Sequence, residues 1–274
     1  MAGFFGLFNY EKPGRGVDKD APEKRGFFLF FDILFRKFWR LTTLSLSYTF
    51  FSIPALVIFF VLNTFLQAWI SPIQDPSFVV TAGILLTFFL VSYFGAGPAS
   101  AGQAYVLRNF SREEHAWVWS DFCSQTKANF WKGLGVFLLD ILFLILLPGA
   151  ANLYFRFGAQ MPMPPLFSAV FGFIAIIALF IWMLMHLFLY PLMVTLDIGF
   201  GKLLKTALQL TIAKLPQCIL IFILSFIVFA IFMALYFLNV GFMVLFALVG
   251  FSLVTFVYVF YATRVMDEML KQGE

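Results

Sequence analysis

The sequence predicts an all-α polytopic membrane helix bundle, on three observations. First, Leu215–Thr263 runs 49 consecutive residues without Asp, Glu, Lys, Arg or His. A bilayer-spanning helix needs about 20 apolar residues, so this run fits two helices and a very short turn at Asn239-Val240-Gly241. Second, the chain of 274 residues is 62% hydrophobic and only 12% charged. Soluble domains are about 25% charged, which leaves room here only for short extramembrane parts. Third, the cations cluster. Taking the apolar runs as spans, 17 of the 18 Lys and Arg fall on one side, and Arg156 alone falls on the other. By the positive-inside rule the crowded side is the cytoplasm, so both termini are expected there.

The elements follow in order. Residues 1–40 mix charges of both signs with Phe clusters. No apolar core ends there at a small-residue cleavage site, so the first span is expected to direct insertion itself. Within this segment, Gly26–Arg40 sets Asp32, Arg36 and Arg40 on one helical face. Phe27, Phe31, Leu34, Phe35 and Phe38 cover much of the rest. Such a helix lies in the interface, its cations toward anionic headgroups.

Six spans are predicted. The first lies within Leu41–Ile70 and carries Pro54. The second lies within Phe78–Leu107 and passes through Gly95-Ala96-Gly97-Pro98-Ala99. The third is Leu134–Tyr154, and the fourth is Phe167–Thr195 with Pro191 near its end. The fifth and sixth are Pro216–Leu238 and Phe242–Thr263. The small residues of the second span read either as close helix packing with a Pro98 kink or as a broken helix lining a cavity. Ser45, Ser47, Thr49 and Ser52 in the first span can each bond their own helix backbone.

Two more basic amphipathic stretches precede hairpins. Ser111–Trp131 opens on Ser111-Arg112-Glu113-Glu114, a capping-box pattern. Trp117, Trp119, Phe122, Phe130 and Trp131 supply its apolar side. Ile198–Lys214 sets Lys202, Lys205 and Gln209 opposite Leu203, Leu204, Leu208 and Ile212. The pattern is three units of interfacial helix plus hairpin. Any six-span protein with basic cytoplasmic loops also gives this impression. The expected division is a cytoplasmic segment over 1–40, a membrane domain over 41–263 that includes cytoplasmic loops 108–133 and 196–215, and a cytoplasmic tail over 264–274.

An ionisable group inside a span is a functional candidate or one member of a structural pair. Asp140 lies seven residues into the third span, roughly 10 Å along the helix. A carboxylate there can bind a cation, relay a proton or accept sugar hydroxyls. It is expected to face the bundle and meet His186 or a cation near the cytoplasmic rim. His186, with Tyr190 one turn on, makes a polar patch in the fourth span. Asn152 and Arg156 mark the outer end of the third, where Arg156 either meets an anion or snorkels to headgroups.

Enzyme signatures are missing: there is no P-loop, H-E-x-x-H, G-x-S-x-G or dinucleotide fingerprint. Cys123 and Cys218 show no metal-like spacing. Glu113-Glu114-His115 near Asp121 imitates a metal site, but consecutive helical residues diverge and make poor joint ligands. No metal, cofactor or catalytic role is expected. The cations run along the membrane edge, which suits lipid better than nucleic acid.

Several strings resemble a known family. They are Phe4-Phe5-Gly6-Leu7-Phe8-Asn9-Tyr10-Glu11-Lys12-Pro13-Gly14, Gly97-Pro98-Ala99-Ser100-Ala101-Gly102, Tyr105-Val106-Leu107-Arg108-Asn109-Phe110, Arg112-Glu113-Glu114-His115 and Trp119-Ser120-Asp121-Phe122. The chain resembles the YesL-like family of bacterial membrane proteins, a domain of unknown function (DUF624). The resemblance implies a Gram-positive plasma-membrane protein, often encoded near genes for carbohydrate uptake. It carries over no catalytic residue. The expectation is a non-enzymatic accessory to a sugar-importer permease, contacting it through Arg108, Asn109, Glu113, Trp119, Asp121 and Phe122. The alternatives are a small-solute transporter using the intramembrane polar residues, and a membrane scaffold or sensor.

Overall fold

The computed structural model describes residues 26–70, 76–160 and 164–272. The N-terminal string from Phe4 to Gly14 lies outside the described residues. Among the described residues every regular element is helical. In order they are α1 (Gly26–Arg36), α2 (Phe38–Ile70), α3 (Pro76–Tyr93), α4 (Pro98–Ser111), α5 (Val118–Ala128), α6 (Phe130–Phe157), α7 (Pro165–Thr195), α8 (Phe200–Ala213), α9 (Leu215–Leu238), the single turn α10 (Met243–Leu245) and α11 (Phe251–Gln272). A short helix followed by a hairpin recurs in this order: α1 before α2/α3, α5 before α6/α7, α8 before α9/α11.

Five stretches are long and apolar enough to cross a membrane: Phe38–Phe65, Phe130–Phe157, Pro165–Thr195, Leu215–Leu238 and Val240–Lys271. The chain is therefore a multi-pass membrane protein. Large apolar side chains such as Phe50, Val61, Phe173 and Leu238 stand on its outer surface, as lipid solvent allows.

The second expected span departs from a single helix. α3 and α4 bend by 58° at their junction. Gly95 and Gly97 adopt φ of +87° and +62°, a region in which a side chain is strained. Pro98 follows, and it disfavours helical backbone in the residue before it. The chain thus leaves one helix and starts another inside the protein. α4 occupies the centre of the bundle. From Ala99 to Ser111 all of its residues but Tyr105 are buried, against α2, α5, α6, α7 and α11.

Small residues let the backbones approach, which is how membrane helices associate when apolar burial supplies no drive. A Cβ at Gly102 would meet the Phe122 carbonyl of α5 at 2.5 Å, and one at Gly133 would meet the Pro98 backbone of α4 at 2.8 Å. Both readings of the small-residue segment therefore hold in part. The helix is broken, and its glycines and alanines serve close packing.

The second arm of the last helical hairpin carries a second irregularity, a π turn over Phe246–Gly250. Such a turn frees backbone groups, and α2 satisfies them. Ser45 and Thr49 hydroxyls donate to the Ala247 carbonyl at 3.0 and 3.1 Å. The Ser252 N–H donates to Ser45 Oγ at 3.4 Å. Ser47 and Ser52 bond α2 itself, as expected.

Three sequence expectations need correction. The helix expected over Gly26–Arg40 stops at Arg36. Asp32 and Arg36 pair at 3.7 Å, but Arg40 belongs to α2 because the chain turns at Lys37. There Arg36 pairs with Glu113, while Lys37 sits 4.5 Å over the Phe110 ring. The Glu113 bond raises the Arg36 guanidinium above its ordinary value, and burial lowers the Lys37 ammonium. Second, Ser111 is no cap. It ends α4, and its hydroxyl donates to the Leu107 carbonyl at 2.9 Å. Glu113 follows with φ of +59°, and α5 starts only at Val118. Asp121 accepts from the Trp117 N–H at 2.8 Å, the role expected of an acid in a first turn. Third, α8 buries Leu203, Ala207, Leu210 and Thr211, whereas Leu208 and Ile212 point outward. α7 and α9 cover only one side of it.

α11 runs on to Gln272, so the expected tail over 264–274 is helical through that residue. Arg112, just beyond α4, pairs with Asp267 there, and Lys132 meets Asp197 at 3.5 Å. These pairs and Arg36–Glu113 lie where α1, α4, α6, α7 and α11 begin or end, and together they form one charged end of the bundle.

Candidate functional site

The site is built on the α6/α7 hairpin. Trp182 and His186 are four residues apart on α7, so they share one face of that helix. Both reach Asp140 on α6. Trp182 Nε1–H donates to Asp140 Oδ1 at 2.9 Å, and His186 Nε2 lies 2.8 Å from the same oxygen. Asp140 and His186 are 0% and 1% exposed, so this contact is shielded from solvent. Among the described residues, Asp140 Oδ2 and His186 Nδ1 have no protein partner. One oxygen thus takes both bonds. The arrangement can hold one proton between the carboxyl and the imidazole, and it has two polar atoms to offer a small polar guest.

The site touches the α3/α4 break. The Phe94 ring stands edge-on to the His186 ring at 5.1 Å. Tyr190, one turn beyond His186, donates its hydroxyl to the Phe94 carbonyl at 3.1 Å. From the other side, the Tyr48 hydroxyl donates to the Val91 carbonyl at 3.0 Å and lies 3.2 Å from Ser100 Oγ. Ser100 Oγ accepts the Ala96 N–H at 2.7 Å. Broken backbone is tolerated at membrane depth only when its groups find partners within the protein. Here two tyrosines and a serine provide them.

The structure therefore joins Asp140 and His186 directly, with Tyr190 packed beside the ring. Asn152 and Arg156 do not join them. They sit three and four turns further along α6, at the other end of an apolar cleft. That cleft, ≈ 420 Å³, lies between α2, α3, α6 and α7. Phe94, Leu144 and Met183 wall it nearest the site, but neither Asp140 nor His186 lines it. A neighbouring cleft of ≈ 480 Å³ continues it past Pro148, Ile176 and Leu179 to Asn152 and Arg156.

The expected contact loop divides. Glu113 and Trp119 are exposed, and Asp121 is half-buried and caps α5. Arg108, Asn109 and Phe122 are buried and cannot serve as surface contacts. Arg108 donates to the Val194 carbonyl at 2.6 Å and to Asn109 Oδ1 at 3.0 Å. A cation on the carbonyls ending α7 is a favourable helix-terminus interaction. It also ties α4 to α7. Phe122 packs under α5 against Phe51.

Sequence reasoning missed Trp182, Tyr48, Ser100 and Phe94. The four-residue spacing of Trp182 and His186 was the available signal. No signal of that kind existed for the others, which come from different helices.

No curated protein and no solved structure matches the chain. The match with a family model covers α3, the break, α4, α5 and α6 as far as Pro148, and so includes Asp140 but not His186. Over residues 78–148 the chain is similar to the family described as a protein of unknown function, DUF624.

Proposed function

We propose that this protein is a non-enzymatic plasma-membrane partner of a sugar-importer permease, with both termini in the cytoplasm. The observation that carries the partner reading is the contrast between its interior and its charged end. Neither of the two clefts beside the site is lined by Asp140 or His186. Around the charged end, Trp117, Trp119 and Trp131 are 71%, 58% and 80% exposed. Exposed aromatics of this size are favoured anchors in interfaces. The carbohydrate part is supported by the family resemblance of the Gly97–Phe122 strings, and the orientation by the charge asymmetry.

Co-purification in mild detergent tests the reading. The wild-type protein is expected to bring down a sugar permease. The paired change Trp117→Ala and Trp119→Ala is expected to lose it while eluting as the same monodisperse species. Recovery of the permease at undiminished yield with both tryptophans removed would overturn the assigned surface. Absence of any sugar permease from the wild-type sample would overturn the reading itself. The orientation has its own test. Epitope tags at either terminus should resist external protease in intact cells, and cleavage of either tag defeats it.

A transporter reading draws on the two unpartnered atoms of Asp140 and His186. It requires solute uptake by the purified protein alone in liposomes, abolished by Asp140→Asn.

A further inference from the structure

We propose that the paired clefts between α2, α3, α6 and α7 form a binding site for one anionic phospholipid, its headgroup at Asn152 and Arg156 and an acyl chain running inward toward Phe94. Three observations support this occupant.

The first is chemical polarity along the cleft. The inner ≈ 420 Å³ is walled by apolar side chains apart from the amides of Asn63 and Gln67, and the outer ≈ 480 Å³ ends on Asn152 and Arg156. A sugar or an ion would find few hydrogen-bond partners in such walls, whereas a hydrocarbon chain would need none. The outer end carries the Arg156 guanidinium, with five N–H donors, and the Asn152 amide, donor groups of the kind that bind an anionic headgroup.

The second is length. From Leu144, beside the inner end, to Arg156 at the outer end is 12 residues of α6, roughly 18 Å of rise. One leaflet of the ~30 Å hydrocarbon core is about that deep. The chain and headgroup of a single lipid therefore match the two ends of the cleft.

The third is continuity and shape. Pro148, Ile176 and Leu179 line both clefts, so the apolar and cationic parts form one path. Pro148 lies inside α6, where a missing N–H and a bulky ring loosen the helix. At the inner end the Phe94 ring stands between the cleft and His186. The lipid chain would stop there, against a wall, without reaching the polar site. The inference stands apart from the permease reading, since neither needs the other.

The test uses the whole protein reconstituted in nanodiscs of phosphatidylglycerol and phosphatidylcholine in equal amounts, then extracted into dodecyl maltoside. Lipid retained by the protein is read by native mass spectrometry. The wild type is expected to retain one phosphatidylglycerol in preference to phosphatidylcholine by about fivefold, the factor that one cation near an anionic headgroup supplies. Arg156→Gln should keep a bound lipid but lose the preference, and Arg156→Lys should restore most of it. Ile176→Trp, which fills the shared wall, should lose the lipid altogether. Arg156→Gln carries the test alone if the tryptophan variant fails to elute as a monodisperse species. Equal retention of both lipids by the wild type would mean ordinary surrounding lipid only, and would overturn the site. Retention of a free fatty acid in place of phospholipid would overturn the assigned occupant.

Discussion

Asp140→Ala is expected to destabilise the folded protein by about 3 kcal/mol, the usual cost of removing one partner of a buried charged or strongly polar pair. The change strands Trp182 Nε1 and His186 Nε2, which both use the same carboxylate oxygen. Each orphaned polar group costs about 1–3 kcal/mol when no water can replace its partner. Asp140→Asn keeps an acceptor in the same place and should lose much less, about 1 kcal/mol. His186→Ala should fall between them, because Trp182 still donates to Asp140. The measurement is reversible unfolding in mixed micelles, followed by far-UV circular dichroism. Equal stability of Asp140→Ala and the wild type would show that the pair contributes nothing to the fold. A stable Asp140→Asn that has lost partner binding or uptake would give the carboxylate a functional role.

Gly133→Val should be strongly destabilising. An added Cβ at Gly133 falls 2.8 Å from both Pro98 Cα and Pro98 N. Those are backbone atoms at the first turn of α4, so no rotamer change relieves the overlap. Overpacking of this kind costs roughly 1–3 kcal/mol. Gly97→Ala meets Phe137 Cβ at 3.1 Å and the Gly133 carbonyl at 3.3 Å while holding φ of +62°. Left-handed backbone adds roughly 1–2 kcal/mol to that crowding. Gly201 is the contrast. Nothing lies within 4 Å of a Cβ there, and the residue is inside α8. Gly201→Ala should gain up to about 1 kcal/mol from helix propensity. Thermal unfolding of the three variants in detergent checks the order. If Gly133→Val melts with Gly201→Ala, the close approach of α4 and α6 does not hold the bundle together.

The hydrophobic class, the positions of the spans and the grouping of cations were legible in the sequence. Each depends on residues counted along the chain. Transfer of a side chain to lipid is a local and roughly additive quantity, so a run such as Leu215–Thr263 states its own fate. The inward direction of Asp140 was also legible, since a lipid-facing carboxylate at that depth is costly. The structure places it inward and against His186.

What the sequence could not decide is how helices distant in sequence complete one another. Trp182 completes the Asp140 pair because α7 is rotated to present residues 182 and 186 together. The serines and threonine of α2 read as self-bonding residues, yet Ser45 and Thr49 bond the π turn some 200 residues away. Arg108, Asn109 and Phe122 read as a loop surface, yet α4 carries the first two into the interior and α5 lays the third beneath itself. The glycines and Pro98 were visible as a weak point in the second span. Whether they made a kink or a full break depended on Tyr48, Ser100 and Tyr190 being in reach of the freed backbone groups. In lipid an unpaired backbone group is too costly to persist. The sequence by itself determined the solvent and the spans, because apolarity and charge act residue by residue. Only the tertiary structure decided the break, the π turn and the Asp140 partners, because a hydrogen bond needs two groups and the fold alone brings the second into place.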